Sequence, residues 1–135
     1  MDVSDVLQIA KDKKVKFIDF QFTDLNGIIK AVTAPVSKLI DAIENNIWFD
    51  GSSIEGFTRI FESDMYLKPD VGTFAVLPWT EDSDYPTARI VCDVYNSNIQ
   101  LFESSQRNIL IRQIERAKIL GYQYNVGPEL EFFEL

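Results

Sequence analysis

The chain has 135 residues, of which 46% are hydrophobic and 13% aromatic, enough apolar material in one domain's length to bury a core and to exclude a disordered polypeptide. Its 21 acidic against 13 basic residues give a net charge of −8, which argues against a nucleic-acid partner and favours cations. No histidine is present, so any proton or metal chemistry falls to carboxylates, and one cysteine, Cys92, suits a reducing compartment and a cytoplasmic address. No basic segment followed by an apolar stretch opens the chain, and no apolar run reaches membrane-spanning length.

Residues 4 to 13 read as a helix, with Ser4 as N-cap and Val6, Leu7, Ile9 and Ala10 as an apolar stripe. From Val15 to Phe22, Ile18, Phe20 and Phe22 alternate with Asp19 and Gln21, the period of a half-buried strand. Asn26-Gly27 then marks a turn, and residues 28 to 34 close a hairpin. Pro35 opens a helix whose Val36, Leu39, Ile40 and Ile43 share a face, and Asn45-Asn46 end it. Residues 47 to 70 lack periodicity and read as a long loop with short extended pieces. Strands return at Phe74 to Trp79 and at Ala88 to Tyr95, separated by the acidic, exposed stretch Thr80 to Pro86. Strand, strand, helix, strand, strand is the order of an α+β fold of the β-grasp type, a small sheet curved around one helix. After a break at Asn96-Ser97-Asn98, Ser104 or Ser105 caps a helix with Leu110, Ile114 and Ala117 on its apolar side, and Gly121 ends it. Residues 122 to 135 read as extended chain. The expected partition is an N-terminal helix over residues 1–14, a β-grasp domain over 15–96, and over 97–135 the start of a second unit that continues in a longer protein.

Two segments carry candidate chemistry. In Phe49-Asp50-Gly51-Ser52-Ser53-Ile54-Glu55-Gly56-Phe57 an acid and two hydroxyls stand between glycines, with Phe49, Ile54 and Phe57 as apolar anchors. The plain alternative is a solvated turn. In Gly127-Pro128-Glu129-Leu130-Glu131-Phe132-Phe133, extended backbone puts Glu129 and Glu131 on one side, about 6 to 7 Å apart, and Leu130 and Phe132 on the other. Two carboxylates so spaced suit hard divalent cations such as magnesium or manganese, or else form the solvent face of an edge strand.

These segments, in this order, resemble the N-terminal region of bacterial type I glutamine synthetase. The resemblance extends through Phe22-Thr23-Asp24, Gly27, Lys30, Glu62-Ser63-Asp64-Met65, Pro69-Asp70, Pro78-Trp79 and Cys92-Asp93-Val94-Tyr95. It implies an ATP-dependent ligase that makes glutamine from glutamate and ammonia through γ-glutamyl phosphate, with Mg2+ or Mn2+ as metal, in a dodecamer whose active sites lie between subunits. It further implies that Asp50 reaches into the neighbouring subunit's site to bind ammonium and take its proton, and that Ser53 lines the same site. By the same resemblance Glu129 and Glu131 each ligate a metal, and Arg59 serves feedback inhibition by glutamine. The chain departs from the family where Ser105-Gln106-Arg107 replaces Asp-Pro-Arg and where Leu130 replaces a frequent proline. The ATP pocket, the glutamate-binding arginine and most metal ligands are expected beyond Leu135, so the chain alone is expected to be inactive and to hold no cofactor. Two other readings are an interaction module that uses the sheet edge without catalysis, and an acidic domain that binds metal weakly.

Overall fold

The computed structural model describes residues 1–54 and 64–133, apart from the side chain of Ser53. Helix α1 (Val3–Asp12) is capped by Asp2 rather than Ser4. The Asp2 carboxylate accepts from the Asp5 amide at 2.9 Å, and the Asp5 carboxylate accepts from the Asp2 amide at 3.0 Å, a reciprocal capping box. Ser4 instead donates its hydroxyl to Asp2, at 2.7 Å.

Strand β1 (Phe17–Thr23) forms the expected hairpin with β2 (Ile29–Pro35), antiparallel from Phe17↔Pro35 to Thr23↔Ile29. Its turn rests on two residues. Gly27 takes φ +80°, where a side chain would be strained, and the buried carboxylate of Asp24 accepts from the amides of Asn26 and Ile28, each at 2.9 Å. Lys30 Nζ stands 3.7 Å from the other Asp24 oxygen. Asp24→Ala leaves those amides without their acceptor, and urea unfolding is expected to record a loss of about 1–3 kcal/mol.

Pro35 closes β2, and a 3-10 turn (Val36–Lys38) leads into helix α2 (Leu39–Asn45), so the proline stands before the helix instead of opening it. Leu39 and Ala42 are buried, whereas Ile40, expected on the same face, is largely exposed. Asn46 ends the helix at φ +63°.

The stretch expected to be a long loop contains two strands, β3 (Ile47–Asp50) and β4 (Asp64–Pro69), paired antiparallel. The expected strand at 74–79 shrinks to β5 (Ala75–Val76). Threonines replace the missing ladder. Thr73 Oγ1 accepts the Val91 amide at 2.8 Å and Thr80 Oγ1 accepts the Thr87 amide at 2.9 Å, so the edge of the long strand β6 (Thr87–Tyr95) is satisfied beside short turns.

The sheet runs β2-β1-β6-β4-β3, with β5 also on β6. Its central pair, β1 and β6, is parallel, from Phe17↔Thr87 to Gln21↔Val91. That pairing brings distant parts of the chain together and completes the β-grasp. Strict alternation follows: Ile18, Phe20, Phe22, Ala88, Ile90, Cys92 and Val94 all bury one face, with Met65 and Leu67 of β4, and α1 and α2 cover it through Val6, Ala10, Leu39 and Ala42. Burial pushes the Cys92 thiol's pKa far up and keeps it protonated.

Helix α3 (Gln106–Ile119) begins at Ser105, as expected, but the Ser105 side chain makes no capping bond. The helix is fastened by polar contacts. Arg107 Nε donates to Asp93 at 2.7 Å and its other end to Asp70, Gln106 donates to the Leu25 carbonyl at 2.9 Å, and buried Asn108 donates to the carbonyls of Val94 and Phe102, each at 3.0 Å. Gly121, at φ +81°, follows its end. On the apolar side named for α3, Leu110 is 47% exposed, whereas Ile114 and Ala117 are half-buried. Residues 122 to 133 adopt no helix or strand. Among the described residues, no helix is long and apolar enough to cross a membrane.

Candidate functional site

Strand β3 alternates sharply. Phe49 is buried and its ring lies against that of Phe22, centroids 4.9 Å apart, so the residues on either side of it, Trp48 and Asp50, face outward. Asp50 is the last residue of the strand, and the chain then turns through a 3-10 segment (Gly51–Ser53), closed by the Ile54 amide donating to the Gly51 carbonyl at 3.1 Å. Ile54 packs against the core. Phe49 and Ile54 therefore pin both ends of the turn, as the sequence suggested, while Phe57 lies outside the described residues.

The Asp50 carboxylate is shaped by its neighbour Ser52. Oδ1 accepts from the Ser52 hydroxyl at 2.7 Å and from the Ser52 amide at 2.9 Å. The hydroxyl first and the amide second hold the Asp50 carboxyl below the ordinary aspartate range, because both stabilise the ionised form. A lowered folded-state pKa contributes stability above the ordinary aspartate value that is lost as pH falls through the lowered one. The charge thus persists into more acidic solution than for a free aspartate. Ser52→Ala removes the larger cause, so a carbon-detected NMR titration is expected to show Asp50 moving up towards the ordinary value; an unmoved titration would contradict this account.

Ser52 did not stand out from Ser53 in the sequence, since the choice depends on the direction of the turn. A second residue, Asp64, emerges only from the strand register. It is the cross-strand partner of Asp50 in the β3–β4 ladder, and is exposed. Two like charges set opposite each other on one sheet face repel, and a cation between them offsets that cost.

The other predicted positions are not gathered here. Glu129 and Glu131 are exposed and outside any strand, and among the described residues no group of three potential metal-binding side chains is assembled. Oxygen donors of this kind fit magnesium or manganese, as part of a ligand set. Arg59 and the Ser53 side chain lie outside the described residues. A cavity of about 730 Å3 lies elsewhere: it opens on the sheet face away from the core and does not include Asp50.

The model of the glutamine synthetase β-grasp domain matches residues 14–97, more than half of the chain. The chain belongs to the glutamine synthetase β-grasp family. It is 48% identical to the glutamine synthetase of Thermotoga maritima over 135 residues, which is all of this chain and 30% of that protein. It is 45% identical to the glutamine synthetase of Staphylococcus aureus strain MW2 over 130 residues, 96% of this chain and 29% of that one. Among solved structures, Plasmodium falciparum glutamine synthetase superimposes with a TM-score of 0.76 at 25% identity, covering 90% of this chain and 23% of that chain. The chain therefore spans about 30% of the length of the glutamine synthetases it matches.

Proposed function

We propose that this chain is the part of a glutamine synthetase that presents the Asp50 turn to an active site completed by other parts of the protein. The reading is carried by one observation: Asp50 ends β3 exposed, with its carboxylate ionised and oriented by Ser52, and anchored from behind by Phe49. An aspartate held in this way attracts ammonium and accepts a proton as the ion becomes the neutral nucleophile, which then displaces phosphate from γ-glutamyl phosphate. Ser53 would line the same ammonium site, Arg59 would take part in feedback inhibition by glutamine, and Asp64 would add negative charge beside Asp50.

Glu129 and Glu131 would supply two of the oxygen ligands for Mg2+ or Mn2+, completed from outside this chain. When bound, such ions neutralise the phosphoryl group during its transfer from ATP. Residues 1–14, 15–96 and 97–135 would then be an N-terminal helix, the β-grasp domain and the start of the catalytic region. Assembly as a dodecamer would bring Asp50 to a neighbouring subunit's glutamate and ATP, and the enzyme would be cytoplasmic.

The test is an assay of the whole protein of which this chain is part. It is expected to form glutamine from glutamate, ammonium and ATP only with Mg2+ or Mn2+ present, while the 135-residue chain alone forms none. ATP turnover by the whole protein that ignores both glutamate and ammonium would refute the reading.

A further inference from the structure

The outer face of the sheet carries a groove whose lining does not include the Asp50 turn. Here we propose that the groove between β1, β6, the 3-10 segment Pro78–Thr80 and α3 binds a small organic carboxylate with an apolar body. The groove measures about 730 Å3, within the few hundred to roughly a thousand Å3 of small-molecule sites. Ile29, Leu77, Trp79, Val91 and Leu110 make its walls apolar, and Gln21, Thr23, Arg89 and Gln106 bring polar groups into it. Trp79 and Ile29 are 79% and 64% exposed, an apolar surface open to a visiting molecule.

Arg89 sets the chemical class. It lies mid-strand on β6, half-buried, and forms no ion pair among the described residues, in a chain of net charge −8. Three carboxylates of the surrounding sheet and turns have other partners. Asp19, its register partner on β1, accepts from the Thr33 hydroxyl at 2.6 Å, and Asp70 and Asp93 both hold Arg107. A half-buried guanidinium with no ion-pair partner among the described residues gains most from a carboxylate, whose two oxygens match its fork. The first turn of α3, which has no side-chain cap, lies in the same wall and adds the positive end of the helix. The apolar walls then select the ligand's body. Neither Asp50 nor Ser52 lines the groove, so this proposal and the role of Asp50 stand or fall separately.

The probe is 4-phenylbutyrate, with 4-phenylbutanol as the uncharged match and inorganic phosphate as charge without a body. Trp48→Phe leaves Trp79 as the sole tryptophan reporter in the full 135-residue chain. Saturable change in Trp79 emission is expected with phenylbutyrate. Arg89→Gln is expected to weaken it at least about tenfold and Arg89→Lys to restore part of it, consistent with loss of a charged hydrogen bond. Phenylbutanol should bind at least about tenfold more weakly, and phosphate should not displace phenylbutyrate. The proposal is overturned by absence of saturation, by equal binding of phenylbutanol, by displacement with phosphate, or by an Arg89→Gln protein with unchanged circular dichroism that binds as before. If Arg89→Gln does not fold, Leu110→Glu on the exposed helix wall takes its place: it puts a carboxylate within the groove, and undiminished binding would equally overturn the proposal.

Discussion

Asp50→Asn in the complete glutamine synthetase is expected to lower turnover by about 10²- to 10⁴-fold, the range for losing a positioned proton-transfer group, and to raise the ammonium KM. The change is nearly isosteric, so Ser52 can still bond to the new side chain and β3 keeps its anchors. Charge is what disappears. The lowered pKa of Asp50 makes it a weak base but a persistent anion, so its proposed hold on the ammonium cation should persist to lower pH than that of an ordinary aspartate. Asp50→Glu retains the charge on a longer arm and should recover part of the ammonium affinity. Steady-state kinetics over a range of ammonium concentrations would separate the two effects. Unchanged turnover and KM in Asp50→Asn, with native assembly retained, would remove Asp50 from the site.

Phe49→Ala should have the largest effect on the fold around that turn. Phe49 is 7% exposed and packs on Phe22 at the point where β3 joins the core, and truncating a buried phenylalanine costs about 3–5 kcal/mol in lost transfer energy and cavity formation. That is a large share of a single domain's stability, about 5–15 kcal/mol. Trp48→Ala provides the contrast: the neighbouring ring is 56% exposed on the opposite face, and its loss should cost less than about 1 kcal/mol. Urea unfolding of the two variants checks both values, and equal losses would mean that β3 does not alternate as described. In whole enzyme that still folds, Phe49→Ala should also impair ammonium use, because the backbone holding Asp50 loses its rear support.

The central strands were legible because burial on one face imposes a period of two, and Ile18, Phe20 and Phe22 declare it as openly as Ala88, Ile90, Cys92 and Val94. Strands β3 and β4 were not: the four residues of β3 are too few to display a period, β4 alternates only through Met65 and Leu67, and what makes Ile47–Asp50 a strand is its pairing with Asp64–Leu67. Strand β5 was overestimated for the converse reason: its apolar composition suggested a ladder that Thr73 and Thr80 instead replace with side-chain bonds. At α1 the choice of Asp2 over Ser4 as cap turned on reciprocity with Asp5, a contact between side chains and amides that composition does not rank.

The candidate site divides along the same line. Residue types and their order along the chain determined that Asp50 sits in a glycine-bounded turn with apolar anchors, that carboxylates carry the available chemistry, and that the family is glutamine synthetase, because these depend on local sequence alone. Only the tertiary structure decided that Ser52 orients Asp50, that Asp64 stands opposite it, and that Arg89 faces a groove without an ion-pair partner among the described residues. Those relations join residues through strand register and turn direction. For Glu129 and Glu131 the alternating order stands in the sequence, but such an order becomes a strand only beside a neighbouring strand, and residues 122 to 133 have none among the described residues.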